Sequence, residues 1–123
     1  MNRFSFEGLK AYEEARALVR LTYDISGKFP AEERYGLTAQ LRRAIISVPS
    51  NIAEGSGRVS LREKINFLGI AFASLMESFC QLQLACDLGY ITEEEFDGLR
   101  EYFITLSKLI SGLKSSFAKK LPL

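Results

Sequence analysis

Histidine and tryptophan are both absent from this 123-residue chain, and cysteine and proline are scarce, at two and three residues. Without histidine there is no imidazole acid or base, no Ser–His or Cys–His nucleophile pair, and no commonest metal ligand. A di-metal site in a helical bundle draws on a Glu-x-x-His pairing that this chain cannot supply. A carboxylate-only metal enzyme would have to use residues such as Glu54 and Glu77, which form no fixed cluster in the sequence. The expectation is no metal, no cofactor and no catalytic residue. Cys80 and Cys86 are too few for a disulfide scaffold. On a helix they point about 120° away from superposition. Free thiols in a reducing cytoplasm are the reading.

A membrane span needs roughly 20 apolar residues, and none is expected here. The opening MNRFSFEGLKAYEEAR carries acids and no apolar core, so it does not read as a signal peptide. Net charge is +1. That argues against a strongly basic nucleic-acid binder and leaves local patches open.

Apolar material is plentiful. The chain is 47% hydrophobic, with nine phenylalanines, enough to build a core for one domain spanning residues 1–123. The pattern predicts an all-α protein of four helices. The first runs from about Phe6 to Ser26, with Ser5 as N-cap and Phe4 stapled to Leu9. Its inward residues are Tyr12, Ala15, Leu18, Thr22 and Ile25, and Gly27 suits the position just past its end. AEERYG predicts a helical turn leading into the second helix. That helix runs from about Leu37 to Glu54, with Leu41, Ile45, Val48 and Ile52 inward and Gly55 and Gly57 ending it.

Ser60 and Glu63 predict a capping box for the third helix. Its apolar stripe is Leu61, Ile65, Leu68, Phe72, Leu75, Phe79, Leu82 and Cys86. Thr92 and Glu95 predict a second capping box. The stripe behind it is Phe96, Leu99, Phe103, Leu106, Ile110, Leu113 and Phe117. An apolar period of about 3.5 residues, sustained over about four heptads, packs helices side by side along their length. The economical architecture is an antiparallel up-down-up-down four-helix bundle.

Some apolar residues lie off these stripes: Phe67, Ile70, Leu84 and Leu88 on the third helix, Tyr102 and Leu109 on the fourth. A second stripe left exposed would mark an interface between copies of the chain. Alternatively, the core stripe is simply wide.

Within RRAIISVPSNIAEGSGR, Pro49 removes a backbone donor and crowds the carbonyl of Ile45, which costs roughly 3 kcal/mol inside a helix. A second helix continuous but kinked at Pro49 fits better than a new one capped by Asn51, which would meet Gly55 almost at once. On a continuous helix Arg43, Ser47, Asn51, Glu54 and Arg58 form one polar stripe. It reads as a solvated face, as a structural network built on Ser47, Pro49, Ser50, Asn51 and Glu54, or as a nucleic-acid contact through Arg42, Arg43, Arg58, Arg62 and Lys64. EGSGRVS lacks the Gly-Lys-Ser/Thr ending of a phosphate loop and reads as a connector.

YGLTAQLRRAIISVPSNIAEGSGR, FLGIAFASLMESFCQLQLACDLGYI and the opening F-x-x-L-x-x-Y together resemble a bacterial four-helix bundle family. Its members are named for reading frames in intervening sequences of large-subunit ribosomal RNA genes. The resemblance covers nearly the whole chain, and Pro-Ser-Asn-Ile-Ala-Glu-Gly is its specific core. It implies a homopentamer with a central channel. It also implies kinship with the accessory protein of diversity-generating retroelements, a pentameric bundle that binds nucleic acid and a reverse transcriptase. The family's motif residues fall on Arg42, Arg43, Pro49, Ser50, Asn51, Glu54, Gly55 and Arg58, with no catalytic residue among them. The net charge of +1 departs from the strongly basic accessory relatives. The resulting expectation is a non-enzymatic, cytoplasmic, homo-oligomeric bundle that contacts RNA or DNA through its arginines. The alternative is a scaffold or assembly subunit for a protein partner, with no nucleic-acid role.

Overall fold

The computed structural model describes residues 3–122. Among these there are four α-helices and no strand: α1 Lys10–Ser26, α2 Leu37–Ser56, α3 Leu61–Asp87 and α4 Glu93–Ala118. The all-α four-helix reading holds. Each helix packs on the next and α4 returns to α1, while among the described residues no diagonal pair brings its backbones within 8 Å. Ser5 lies against Ser56 while Tyr23 meets Arg42, so α1 and α2 run in opposite directions. Phe79 meets Phe103 while Lys64 lies over Phe117, so α3 and α4 do likewise.

The helix ends follow local chemistry. Thr92 and Glu95 form the full capping box: Glu95 N–H donates to Thr92 Oγ1, and Thr92 N–H donates to the Glu95 carboxylate. At α3 only half of the expected box forms, because Glu63 N–H reaches Ser60 Oγ with no return bond. Past the end of α3 comes Gly89, whose φ of +80° is the left-handed value that favours glycine. There Tyr90 N–H reaches back to the Ala85 carbonyl and Gly89 N–H to that of Cys86, the pairing that satisfies a helix's last acceptors. α2 starts differently, with the Glu33 carboxylate accepting the Leu37 N–H from outside the helix at 3.0 Å.

Three local expectations are corrected. The first helix does not begin at Phe6. Ser5–Gly8 is a 3-10 turn, and extended backbone at Leu9 separates it from α1. Ser5 therefore caps nothing and bonds Ser56, while exposed Phe4 stacks on Phe6. Gly27 closes α1 in right-handed backbone, with no need for glycine's freedom. Gly55 does not end α2 but is buried within it.

The inward residues of α2 and α4 are those expected, down to Ile110; beyond it Leu113 and Phe117 are half-buried. α3 has the expected period but a rotated register. Its buried line is Leu68, Leu75 and Leu82 interleaved with Ala71, Ser78 and Ala85. Phe72, Phe79 and Cys86 are only half-buried, on the flank of that line. Phe79 packs there on Phe96 and Phe103 of α4. Small residues every seventh position let a neighbouring backbone come close, and bulky ones fill the flank.

By length and composition alone, α3 does pass the test for a membrane-crossing helix, contrary to expectation. It also packs along both α2 and α4 and buries one face within the bundle, as a core helix does.

Candidate interaction surface along the second helix

α2 presents two flanks. On the side toward α3, a chain of hydrogen bonds runs from Asn51 to Ser78. Asn51 Nδ2 donates to both the carbonyl and the hydroxyl of Ser47, each at 2.8 Å. Ser74 Oγ donates to Ser47 Oγ at 2.9 Å, and Ser78 Oγ to the Ser74 carbonyl at 2.8 Å. Four polar side chains at a half-buried seam are thereby matched, which avoids a penalty of about 1–3 kcal/mol for each one left alone. Of the residues expected in a structural network, Asn51 and Ser47 are brought together. Asn51 serves Ser47 rather than the Ile45 carbonyl that Pro49 leaves without its helical donor. Ser50 is exposed. Glu54 stays at the surface, paired with Arg58 at 2.9 Å.

Outside that seam, exposed Arg43 and Glu77 share a shallow cleft of about 310 Å³ with Ser47 and Ser74. Glu77 accepts a hydrogen bond from Gln81 Nε2 at 3.1 Å. Ile70, Glu77 and Leu84 follow at seven-residue spacing, so they line one face of α3. Ile70 is 41% and Leu84 47% exposed.

The other flank of α2 faces α1. Near the start of α2, Arg42 is half-buried and tied down. Its Nε donates to Ser26 Oγ at 2.9 Å, a terminal nitrogen donates to the Tyr23 carbonyl at 3.2 Å, and the guanidinium lies over the Tyr23 ring. Further along, α1 and α2 part into an open groove of about 450 Å³. Phe6, Val19, Ile46 and Pro49 form its apolar lining, and Arg16 and Arg20 bring the charge.

The five basic residues expected to act together are therefore spread out. Arg42 is fixed to α1, and Arg43 stands in the cleft on the opposite flank. Arg58 pairs with Glu54 and covers the Phe67 ring. Lys64 donates to the Ser56 carbonyl and lies over Phe117. Arg62 is exposed in the first turn of α3. Only Arg58, Arg62 and Lys64 share one end of the bundle.

Of the six residues expected at an interface between copies, Ile70, Leu84, Leu88 and Tyr102 are exposed. Phe67 and Leu109 are half-buried, Phe67 beneath Arg58 and Leu109 against the core. The groove carrying Arg16, Arg20 and Ile46 was not anticipated. Its signal was present in the pair of arginines four apart on α1, on one helix face.

No group of three acidic or thiol side chains that could hold a metal occurs among the described residues. Both cysteines are free. Burial pushes the Cys86 thiol pKa up, with Glu93 nearby adding to the shift.

The model of a protein family described as "23S rRNA-intervening sequence protein" matches residues 7–112. No curated protein matches. A crystal structure of a protein of unknown function from the S23 ribosomal protein family of Bacteroides thetaiotaomicron is similar, with a TM-score of 0.78 and 21% identity, covering 85% of this chain and 95% of that one. At that identity the likeness speaks to the fold.

Proposed function

This chain belongs to the 23S rRNA-intervening sequence protein family, and we propose that it is a non-enzymatic assembly subunit which joins copies of itself through the outer face of α2 and α3. One observation carries the reading. Ile70 and Leu84 stand exposed on a helix whose opposite face is already fully used by the core. Apolar side chains aligned on one face gain free energy when a partner covers them, about 25 cal/mol per Å². The family resemblance of the sequence implies five copies around a channel.

Sedimentation of the native particle tests this. A mass near five times the 13.8 kDa chain is expected. Ile70→Asp with Leu84→Asp should disperse the particle while far-UV circular dichroism stays unchanged. A parent chain that sediments singly at high concentration overturns the reading.

Contact with RNA or DNA is a second reading, favoured by exposed Arg43 and Arg62, which make no ion pair among the described residues. Filter binding at low and moderate salt tests it. Affinity should fall steeply with salt, with a logarithmic slope of about −0.9 per phosphate contacted on duplex DNA. No retention at low salt removes this reading. A defined second protein copurifying without nucleic acid would favour the scaffold role instead.

A further inference from the structure

We infer that copies join head to tail: the α3 line Ile70–Glu77–Leu84 of one copy seats in the α1–α2 groove of the next, with Glu77 facing Arg16 and Arg20. This rests on the self-assembly reading above and names the second surface that it requires.

The two surfaces differ in shape and complement each other in charge. The first is the outer face of a helix, with an exposed carboxylate midway between two exposed aliphatic side chains. The second is a recess with an apolar lining, two guanidinium groups and no carboxylate. Arg16 and Arg20 are one helical turn apart, about 6 Å, so both can face a single carboxylate. Neither belongs to an ion pair among the described residues. Glu77 also has no cation within ion-pair distance there; its bond to Gln81 is to a neutral amide. Neither side's charge is closed in an ion pair among the described residues, although Arg43 lines the cleft beside Glu77.

Twofold pairing of like surfaces fails on the same residues. Face against face would bring two copies of Glu77 together. Groove against groove would confront four arginines. Like charges brought together in an interface repel and disfavour that pairing. Pairing unlike surfaces avoids both, and a head-to-tail contact repeats until the rotation closes it into a ring. The surfaces lie on opposite flanks of α2, so one copy can engage two neighbours at once.

Charge reversal tests the pairing, because Glu77, Arg16 and Arg20 are all exposed, with Glu77 bonded only to Gln81 and Arg16 lying over the Tyr12 ring. Glu77→Arg alone, and Arg16→Glu with Arg20→Glu, should each reduce the sedimenting particle to single chains with unchanged circular dichroism. All three substitutions in one chain should restore the parent mass. If the parent is oligomeric but indifferent to Glu77→Arg, head-to-tail pairing is wrong and self-assembly stands. The pairing is equally wrong if the triple variant stays dispersed while folded. If the parent itself sediments singly, both readings fall.

Discussion

The two ends of the bundle are held by different means. At the end where α1 hands over to α2 and α3 to α4, polar side chains tie together segments far apart in sequence. Lys28 bonds Glu95. Tyr90 O–H donates to the Glu33 carboxylate at 2.8 Å, and the Tyr90 ring packs 5.7 Å from that of Phe29. Arg42 clamps the last turn of α1. At the opposite end the ties are sparser. Ser5 meets Ser56, Lys64 meets the Ser56 carbonyl, and Val59 is 97% exposed. A cavity of about 200 Å³ opens there, lined in part by Leu9, Ile52 and Phe117. Apolar packing along the shaft makes four helices; polar chemistry at one end fixes which turns sit beside which.

The largest effect that would sharpen this contrast is expected at Arg42. Arg42→Ala removes two hydrogen bonds from a charged, half-buried donor and its stacking on Tyr23, and should cost about 2 kcal/mol in urea unfolding. A cost below about 0.5 kcal/mol would mean that the clamp is ornamental.

Gly55→Ala comes next, at the other end. A β-carbon there would lie 2.9 Å from Cβ of Phe67 and 3.5 Å from the Lys64 carbonyl oxygen. Neither is the tip of a flexible side chain, so α2 and α3 must shift. The overpacking cost, less the gain in helix propensity, is about 1 kcal/mol. An alanine variant as stable as the parent would show that this end yields without penalty.

Acid should loosen the tied end first. Glu33 is held below the ordinary carboxylate value of 4.5, chiefly by the Leu37 N–H and then by the Tyr90 hydroxyl. Glu95 is lowered by Lys28 first and the Thr92 N–H second. A carboxylate with a depressed folded pKa stabilises above its unfolded value, and that contribution is lost as pH falls through the folded one. Stability should therefore decline as pH drops below about 4.5, and Glu33→Gln with Glu95→Gln should flatten the decline. Both carboxylates are near the surface, so the effect is expected to be smaller than at Arg42. Amide exchange that loosens uniformly at both ends in acid would contradict the contrast.

Ser5→Ala should do least, within about 0.5 kcal/mol, since its one partner is an exposed hydroxyl.

Much of the bundle was legible in the sequence because its determinants are local. Caps such as Thr92 with Glu95, and periods such as Leu41 to Ile52, need only a few residues in a row. The register of α3 was not legible in the same way. A stripe chosen by apolarity picks Phe72, Phe79 and Cys86, whereas the buried line takes Ala71, Ser78 and Ala85. Size, rather than greasiness, decides such positions. Arg42 and Arg43 read as a pair, but neighbours on a helix point about 100° apart, and the two stand on opposite flanks of α2. The tie between Glu33 and Tyr90 spans 57 positions and has no local signature. Asn51 beside Ser47 was visible as a polar stripe; that it continues to Ser74 depends on how α2 and α3 are set against each other.

Gly55 carries that last dependence further. The gap between the two rods near their shared turn is set by an atom that is not there. Supplying it would splay α2 and α3 like the blades of opening scissors, with the turn as pivot. The hydroxyl pair Ser47–Ser74, farther along the blades, would be drawn apart in proportion. So would any surface that spans both helices, which makes one hydrogen in place of a methyl group the gauge for its width.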